Sequence, residues 1–415
     1  MYTPRLGDRE LTARLAVSGA VLIEGPRACG KTETARRQAA SEVLLDVDEN
    51  ARRAMAVEPD LILAGATPRL IDEWQVEPAI WNHVRRAVDA RRTRGQFILT
   101  GSAVPADDIT RHTGAGRISR LRLRPMSSFE MGQSTGDVSL TRLLDADFDG
   151  CTEQNVRLAD LASRIGRGGW PGEMDLDERA CLTARVDYLD EIRRSDLQRI
   201  DGLSRDPDNV GRVLRSLARN VSTPVSVRTI AADAGGDGGP LDADTVTGYL
   251  VALRRLMVYE EQRAWSTHLR SRSILRKSPK RHFVDPSLAV AAIGATPERL
   301  IGDLQFLGFL FESMVYRDLA IYSQANDAEV FHYLDNTNLE VDAIVQKRQG
   351  DWCAFEVKLG VGQVDAAAAA LLKFRNRIDV GAVGEPKLLA VIVSTGYGYR
   401  RSDGVAVIPI GSLGP

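Results

Sequence analysis

Cysteine and histidine are scarce in this chain: four and five, respectively, in 415 residues. Cys29, Cys151, Cys181 and Cys353 are scattered with no C-x-x-C spacing, and the histidines are equally dispersed. No zinc signature results, and a reducing compartment is the default. Long apolar runs are also missing, so no segment is expected to cross a bilayer and no membrane partner is expected. The amino-terminal stretch carries Arg5, Asp8, Arg9 and Glu10 in place of the apolar core of a secretion signal, which points to a cytoplasmic protein. A net charge of −2 from 54 basic and 56 acidic residues leaves any nucleic-acid partner to be decided by local patches.

The length calls for two or three domains. A hydrophobic content of 44% with 27% charged residues describes a folded globular chain. Its clearest feature is Gly25-Pro26-Arg27-Ala28-Cys29-Gly30-Lys31-Thr32, which fits G-x-x-x-x-G-K-[ST]. The apolar run 21–23 leads in as a short buried strand, and an Ala- and Arg-rich helix over 33–40 leads out. Strand, glycine loop and helix are the setting that a phosphate-binding loop requires. Its backbone N–H groups would cradle an anion, Lys31 would reach the β- and γ-phosphates of ATP, and the Thr32 hydroxyl would ligate Mg²⁺.

Further strands are expected at 43–46, 70–73 and 96–100, with helices over 8–18, 46–55 and 77–91. The alternation argues for an α/β domain with a parallel sheet whose ligand lies at the carboxyl ends of the strands. Asp72 there suits a water-mediated hold on Mg²⁺, and Glu73 suits polarisation of the attacking water. Two surface acids at a strand end are the plain alternative. Thr100, at the tip of the next strand, fits either a contact to that water or γ-phosphate, or a turn cap. Arg117 is the candidate arginine finger, acting in trans if the chain assembles as a homo-oligomer; a solvated strand face is its alternative.

The GPRxxGKT loop, the LIDEWQ stretch (70–75), the FILTGS stretch (97–102) and GRI…LRP-SSFE (116–130) together resemble bacterial and archaeal AAA-type P-loop ATPases that carry a characteristic C-terminal domain. The resemblance covers nearly the whole chain. It implies an AAA-like core, with Asp72 and Glu73 as the acidic Walker B pair and Thr100 at the sensor position. It implies no agreed cellular role.

Residues 131–156 read as a loop-rich boundary, 167–172 as a turn cluster and 182–199 as amphipathic helix. Residues 208–262 have the pattern of a winged helix-turn-helix: helices near 210–217, 227–234 and 246–256, then a wing from Val258. The third helix offers Thr245, Thr247, Tyr249, Arg254 and Arg255, a modest set for DNA, and a lid or protein-partner surface is the alternative. The segment 263–282 gathers Arg263, His268, Arg270, Arg272, Arg276, Lys277, Lys280 and Arg281 around Trp265. It suits a DNA or RNA backbone with a stacked base, or else a solvated hairpin.

Near the end, a long helix opens at 307, strands are expected at 329–333, 339–345, 352–358 and 387–394, and a helix at 365–375. Asp342 followed by Glu356-Val357-Lys358 resembles the D…(D/E)-x-K signature of restriction-endonuclease-like folds, with Glu312 on the preceding helix as a fourth member. In such sites paired carboxylates bind Mg²⁺ and the lysine orients water. A sheet edge with a Glu–Lys pair is the plain alternative.

The reading is thus an α/β chain of four parts: a P-loop ATPase core (1–130), a helical lid or connector (131–205), a winged-helix module with a basic hairpin (206–284) and a nuclease-like C-terminal domain (285–415). ATP hydrolysis with Mg²⁺ would be coupled to nucleic-acid processing or binding. The alternative is a switch whose C-terminal domain is an inactive binding platform.

Overall fold

The computed structural model describes residues 2–102, 113–199, 205–236, 239–266 and 278–415. Five strands open the fold: β1 (Ala20–Glu24), β2 (Ser41–Leu44), β3 (Arg69–Asp72), β4 (Phe97–Gly101) and β5 (Ile118–Arg122). They form an all-parallel sheet in the order β2-β3-β4-β1-β5. Its central strands are apolar along their length because both faces are covered. Leu22, Ile71 and Leu99 pack with Trp74, Trp81 and Val84 on one side. Val21, Ile23, Leu70 and Ile98 pack with Leu11, Leu15 and Ala35 on the other. Since the strands are parallel, the loop after β1, Glu73 after β3 and Thr100 in β4 all come to one edge.

The remaining strands are β6 (Val138–Ser139), β7 (Cys151–Gln154), β8 (Tyr259–Gln262), β9 (Lys280–Phe283), β10 (Ala328–Leu334), β11 (Glu340–Lys347), β12 (Trp352–Lys358), β13 (Leu388–Val393), β14 (Gly396–Arg400), β15 (Ala406–Pro409) and β16 (Leu413–Gly414). A second, mixed sheet runs β10-β11-β12-β13-β15-β14-β7. The stretch read as a loop-rich boundary therefore supplies β7 as an edge strand of this sheet, and β6 pairs with β16. Cys-Thr-Glu-Gln has no buried face to alternate toward, so nothing in its composition announces a strand.

Between the sheets lie the helices Leu158–Arg167 and Glu178–Glu191, the latter continuing through a π-helical turn, Ile192–Asp196. Helices Pro207–Arg219, Val227–Asp233 and Ala243–Arg255 follow, each opened by a side-chain cap: Asp206, Ser226 and Asp242. The antiparallel pair β8–β9 comes next. Helix Leu304–Ala325, capped by Asp303, buries Leu307, Leu310, Phe311 and Met314 in a core shared by the middle region and the second sheet. Among the described residues no helix is long and apolar enough to cross a membrane.

Candidate functional site

The loop after β1 is shaped by two glycines. A Cβ on Gly25 would lie 2.1 Å from the Leu123 carbonyl oxygen, so nothing larger fits there. Gly30 adopts φ 96° and Ala28 φ 59°, left-handed turns of the kind that gather successive N–H groups around a concavity. Lys31, at the start of helix Lys31–Arg36, is buried, and its Nζ donates to the carbonyls of Gly25 (3.1 Å) and Pro26 (2.8 Å). Thr32 Oγ1 donates to both oxygens of Asp72 at 3.0 and 3.2 Å, and Thr100 Oγ1 donates to the same carboxylate. Because β4 lies between β1 and β3, Thr100 stands between the loop and the acidic strand end.

Glu73 leaves the strand in the left-handed region, at φ 51°. That departure turns its carboxylate away from Asp72, toward Ser102 Oγ (3.3 Å) and the Gln75 amide. Lys31, Thr32, Glu73 and Ser102 line a cleft of about 1180 Å³. Pro171, Gly172 and Asp196 from the middle region line it as well. Asp196 pairs with Arg27 at 3.0 Å. Cys29 is buried with its Sγ toward the Leu123 carbonyl, 3.4 Å away, and Arg5 Nη1 donates to the Cys29 carbonyl at 2.8 Å. Thr32 and Asp72 present oxygen atoms alone, the donor set that suits Mg²⁺.

Arg117 is not with them. It sits just before β5, whose first residue is level with Ala20, the amino-terminal end of β1. Its Nε lies 2.8 and 2.9 Å from the two Asp89 oxygens. Within one chain it lies at the end of the sheet away from the loop.

The second constellation brings together all four residues singled out near the carboxyl terminus and adds two more. Lys358 Nζ lies 2.6 Å from Glu356 and 3.3 Å from Asp342, whose other role is to accept from the Val357 N–H at 2.9 Å. Lys280 Nζ reaches Glu312 (2.6 Å), Glu340 (2.7 Å) and Asp342 (3.2 Å). Burial opposes ionisation of Asp342, but the Lys280 and Lys358 ammonium groups outweigh it and hold the carboxyl down to about 2. Burial, reinforced by the Asp342 charge, pushes Glu312 and Glu356 up to about 8. Lys280 is itself buried, yet Glu312, Asp342 and Glu340 hold its pKa well above the usual lysine value. Among the described residues no three His, Cys, Asp or Glu side chains converge as a metal-holding group.

The geometry corrects the basic segment at Lys280, Arg281 and Trp265. Lys280 is 1% exposed, and Arg281 is buried against Glu261 and Tyr259. Trp265 packs against Trp352 with ring centroids 4.9 Å apart and planes tilted by 44°, and it is 4% exposed, which leaves no face for a base. Arg263 pairs with Glu329. His268, Arg270, Arg272, Arg276 and Lys277 lie outside the described residues. On the helix Ala243–Arg255, Tyr249 is likewise buried, while Thr245, Thr247 and Arg254 are exposed. A run of cations in sequence says nothing about which of them meet carboxylates from elsewhere. Glu340 did leave a signal, standing two residues before Asp342 on one strand and so on its face.

Residues 17–132 match the family model of an AAA domain. Residues 158–299 match a domain of unknown function, DUF8612, and residues 307–413 another, DUF4143. No curated protein matches the chain. Among solved structures, the Walker-type ATPase PABY2304 of Pyrococcus abyssi is similar at 12% identity and a TM-score of 0.43, over 69% of this chain and 94% of that one. The replication initiator DnaA bound to AMPPCP and single-stranded DNA is similar at 14% identity and a TM-score of 0.28, over 60% and 86%. The match over 17–132 falls on the region that holds the parallel sheet and the glycine loop after β1, and that region is similar to an AAA domain.

Proposed function

We propose that the chain binds ATP in the cleft at the carboxyl ends of β1, β3 and β4 and hydrolyses it. The observation that carries this is Asp72, held jointly by the Thr32 and Thr100 hydroxyls beneath a lysine-bearing glycine loop. Lys31 trades its loop carbonyls for the β- and γ-phosphate oxygens of ATP. Thr32 and Asp72 would hold Mg²⁺, which neutralises charge on the phosphates. Glu73 takes a proton from the water whose oxygen attacks the γ-phosphorus, and the bond to the bridging oxygen breaks to leave ADP and phosphate. Thr100 keeps Asp72 in place. Arg117 reaches a γ-phosphate only on a neighbouring copy, so its use as a finger requires a homo-oligomer.

ATP turnover with Mg²⁺, measured on the full chain and on Lys31→Ala and Glu73→Gln proteins, tests the reading. Hydrolysis that survives in both variants overturns it.

The four-residue cluster Glu312, Asp342, Glu356 and Lys358 supports a restriction-endonuclease-like reading of residues 285–415. Three capped helices followed by the β8–β9 hairpin support a winged-helix reading of 206–284. ATP state would then be coupled to a module that engages DNA or RNA. A second reading, in which the C-terminal domain is an inactive platform for nucleic acid or protein, is favoured by Lys280, which fills the space between the carboxylates. Incubation of labelled DNA and RNA with the chain, ATP and Mg²⁺ separates the two. Strand breaks lost in Lys358→Ala establish cleavage; binding without breaks establishes the platform.

A further inference from the structure

Lys280 comes from outside the region that carries the other members of the C-terminal cluster. It opens β9, within the stretch that matches one family model, whereas Glu312, Glu340, Asp342, Glu356 and Lys358 all belong to the next. Its placement is built in. Gln262, level with Lys280 across the hairpin, donates through Nε2 to the carbonyls of Asp342 (2.8 Å) and Phe331 (2.9 Å). His282 in turn meets Gln262 Oε1 through Nε2 at 3.1 Å. The hairpin is thereby tied to β10 and β11, and the lysine cannot swing away as a surface lysine would.

An ammonium group has three N–H donors and no acceptor. Here three carboxylates stand within 2.6–3.2 Å of Nζ, so every donor is committed. A Mg²⁺ or Mn²⁺ ion shared by Glu312 and Asp342 would need those same oxygens at about 2.0–2.2 Å. It would therefore occupy the place of Nζ, or else stand beside a buried positive charge. A divalent ion bridging Glu312 and Asp342 does not fit while Lys280 is among them, and the Asp342–Glu356 pair is taken up by the Lys358 ammonium.

We propose that the Lys280 ammonium is the resident cation of the C-terminal cluster and that it closes the cluster to divalent metal. The proposal rests on the nuclease-like reading of Glu312, Asp342, Glu356 and Lys358, because it assigns the cation position which that reading implies. Closure by a lysine makes the wild-type site a metal-free pocket formed jointly by the β8–β9 hairpin and the second sheet. Removing the ammonium while keeping the carboxylates should convert it into a site for one divalent ion.

Mn²⁺ titration of the full chain, followed by loss of the free-ion electron paramagnetic resonance signal, reads this directly. An Asp72→Asn background silences the nucleotide cleft. That background is expected to take up no Mn²⁺ that depends on Asp342. Adding Lys280→Met should give one bound ion per chain, with affinity raised about 10–100-fold or more, and Asp342→Asn should abolish it. Lys280→Gln serves if the methionine variant does not fold. Background protein that binds Mn²⁺ and loses it on Asp342→Asn overturns the proposal, and this arm is decisive whether or not either Lys280 variant folds. A folded Lys280 variant that gains no ion overturns it too. The underlying reading fails separately: a variant that gains the ion yet cleaves no nucleic acid with Mg²⁺ leaves Lys280 as the closing cation and removes the nuclease.

Discussion

Lys31 and Lys280 are both buried lysines among backbone or carboxylate oxygens, and they sit in opposite kinds of site. Lys31 touches two neutral carbonyls of its own loop and borders an open cleft of about 1180 Å³. Among the described residues its charge has no carboxylate partner there, so it can exchange for phosphate oxygens. Lys280 is saturated by three carboxylates and 1% exposed. An ammonium held by weak neutral acceptors is poised for an anionic ligand, whereas one held by carboxylates is part of the structure. Residue type and burial are alike; the partners decide the role.

The comparison breaks first on activity. Lys31→Ala should lower ATP hydrolysis at least about 100-fold, the cost of deleting one preorganised charge at a transition state. Glu73→Gln should lower it by about 10²–10⁴-fold with ATP binding kept, as expected of a general base. Thermal unfolding without nucleotide should move little in either. A Lys31→Ala protein with near-normal turnover would show that the cleft is not where ATP reacts.

Stability should reverse the pattern. Lys280→Ala leaves Glu312, Glu340 and Asp342 facing one another, and losing one partner of a buried ionic group costs about 3–5 kcal/mol. Denaturant unfolding followed by far-UV circular dichroism measures it. Folded Lys280→Ala protein, kept cold, should retain ATP turnover, because no Lys280 contact reaches the nucleotide cleft. A loss below about 1 kcal/mol would mean that the cluster relaxes without its cation.

The two sites were also unequally legible in sequence. The nucleotide site is encoded in short contiguous words, 25–32, 70–75 and 97–102, each at the end of a buried strand, so motif and periodicity coincide. Two things there stayed hidden. The Arg27–Asp196 pair depends on packing between the loop and a distant helix, and the placement of Arg117 at the amino ends of the strands follows from register. The second cluster is assembled from 280, 312, 340, 342, 356 and 358. Strand alternation links 340 with 342 and 356 with 358, but nothing local ties Lys280 to them. Its sequence neighbours, Arg281 and Lys277, made it look like surface charge. The edge strand β7 was invisible for a related reason: pairing at the rim of a sheet needs no apolar pattern.

A smaller effect sits where the two regions meet. Glu260 on β8 accepts from Arg124 Nε at 3.0 Å, pairs with Arg122 at 2.7 Å and accepts from the Tyr316 hydroxyl at 3.4 Å. Burial would raise its pKa, but the Arg122 and Arg124 charges win and hold it below the usual carboxylate value. A group depressed in the fold stabilises it above the unfolded value, near 4.3, and loses that contribution as pH falls through the folded one. Glu260→Gln should therefore cost about 1.5–3 kcal/mol at pH 7 and progressively less in acid below pH ~4. A penalty independent of pH in that window would assign the loss to packing, not to charge.

Arg117 gives the smallest effect and the sharpest limit on how self-contained the nucleotide site is. Its pair with Asp89 is exposed, a kind of contact worth about 0–1 kcal/mol, so Arg117→Ala should barely move the melting temperature. In dilute solution it should not change ATP turnover per chain, since the guanidinium lies at the far end of the strands from Lys31. Turnover measured across a wide range of protein concentration, for wild type and Arg117→Ala, makes the test. Curves that coincide throughout mean that one chain holds every residue the hydrolysis needs. A wild-type rate that climbs with concentration while the variant stays flat would give Arg117 to a neighbour's γ-phosphate, because only an assembled copy can bring that end of the sheet to the cleft.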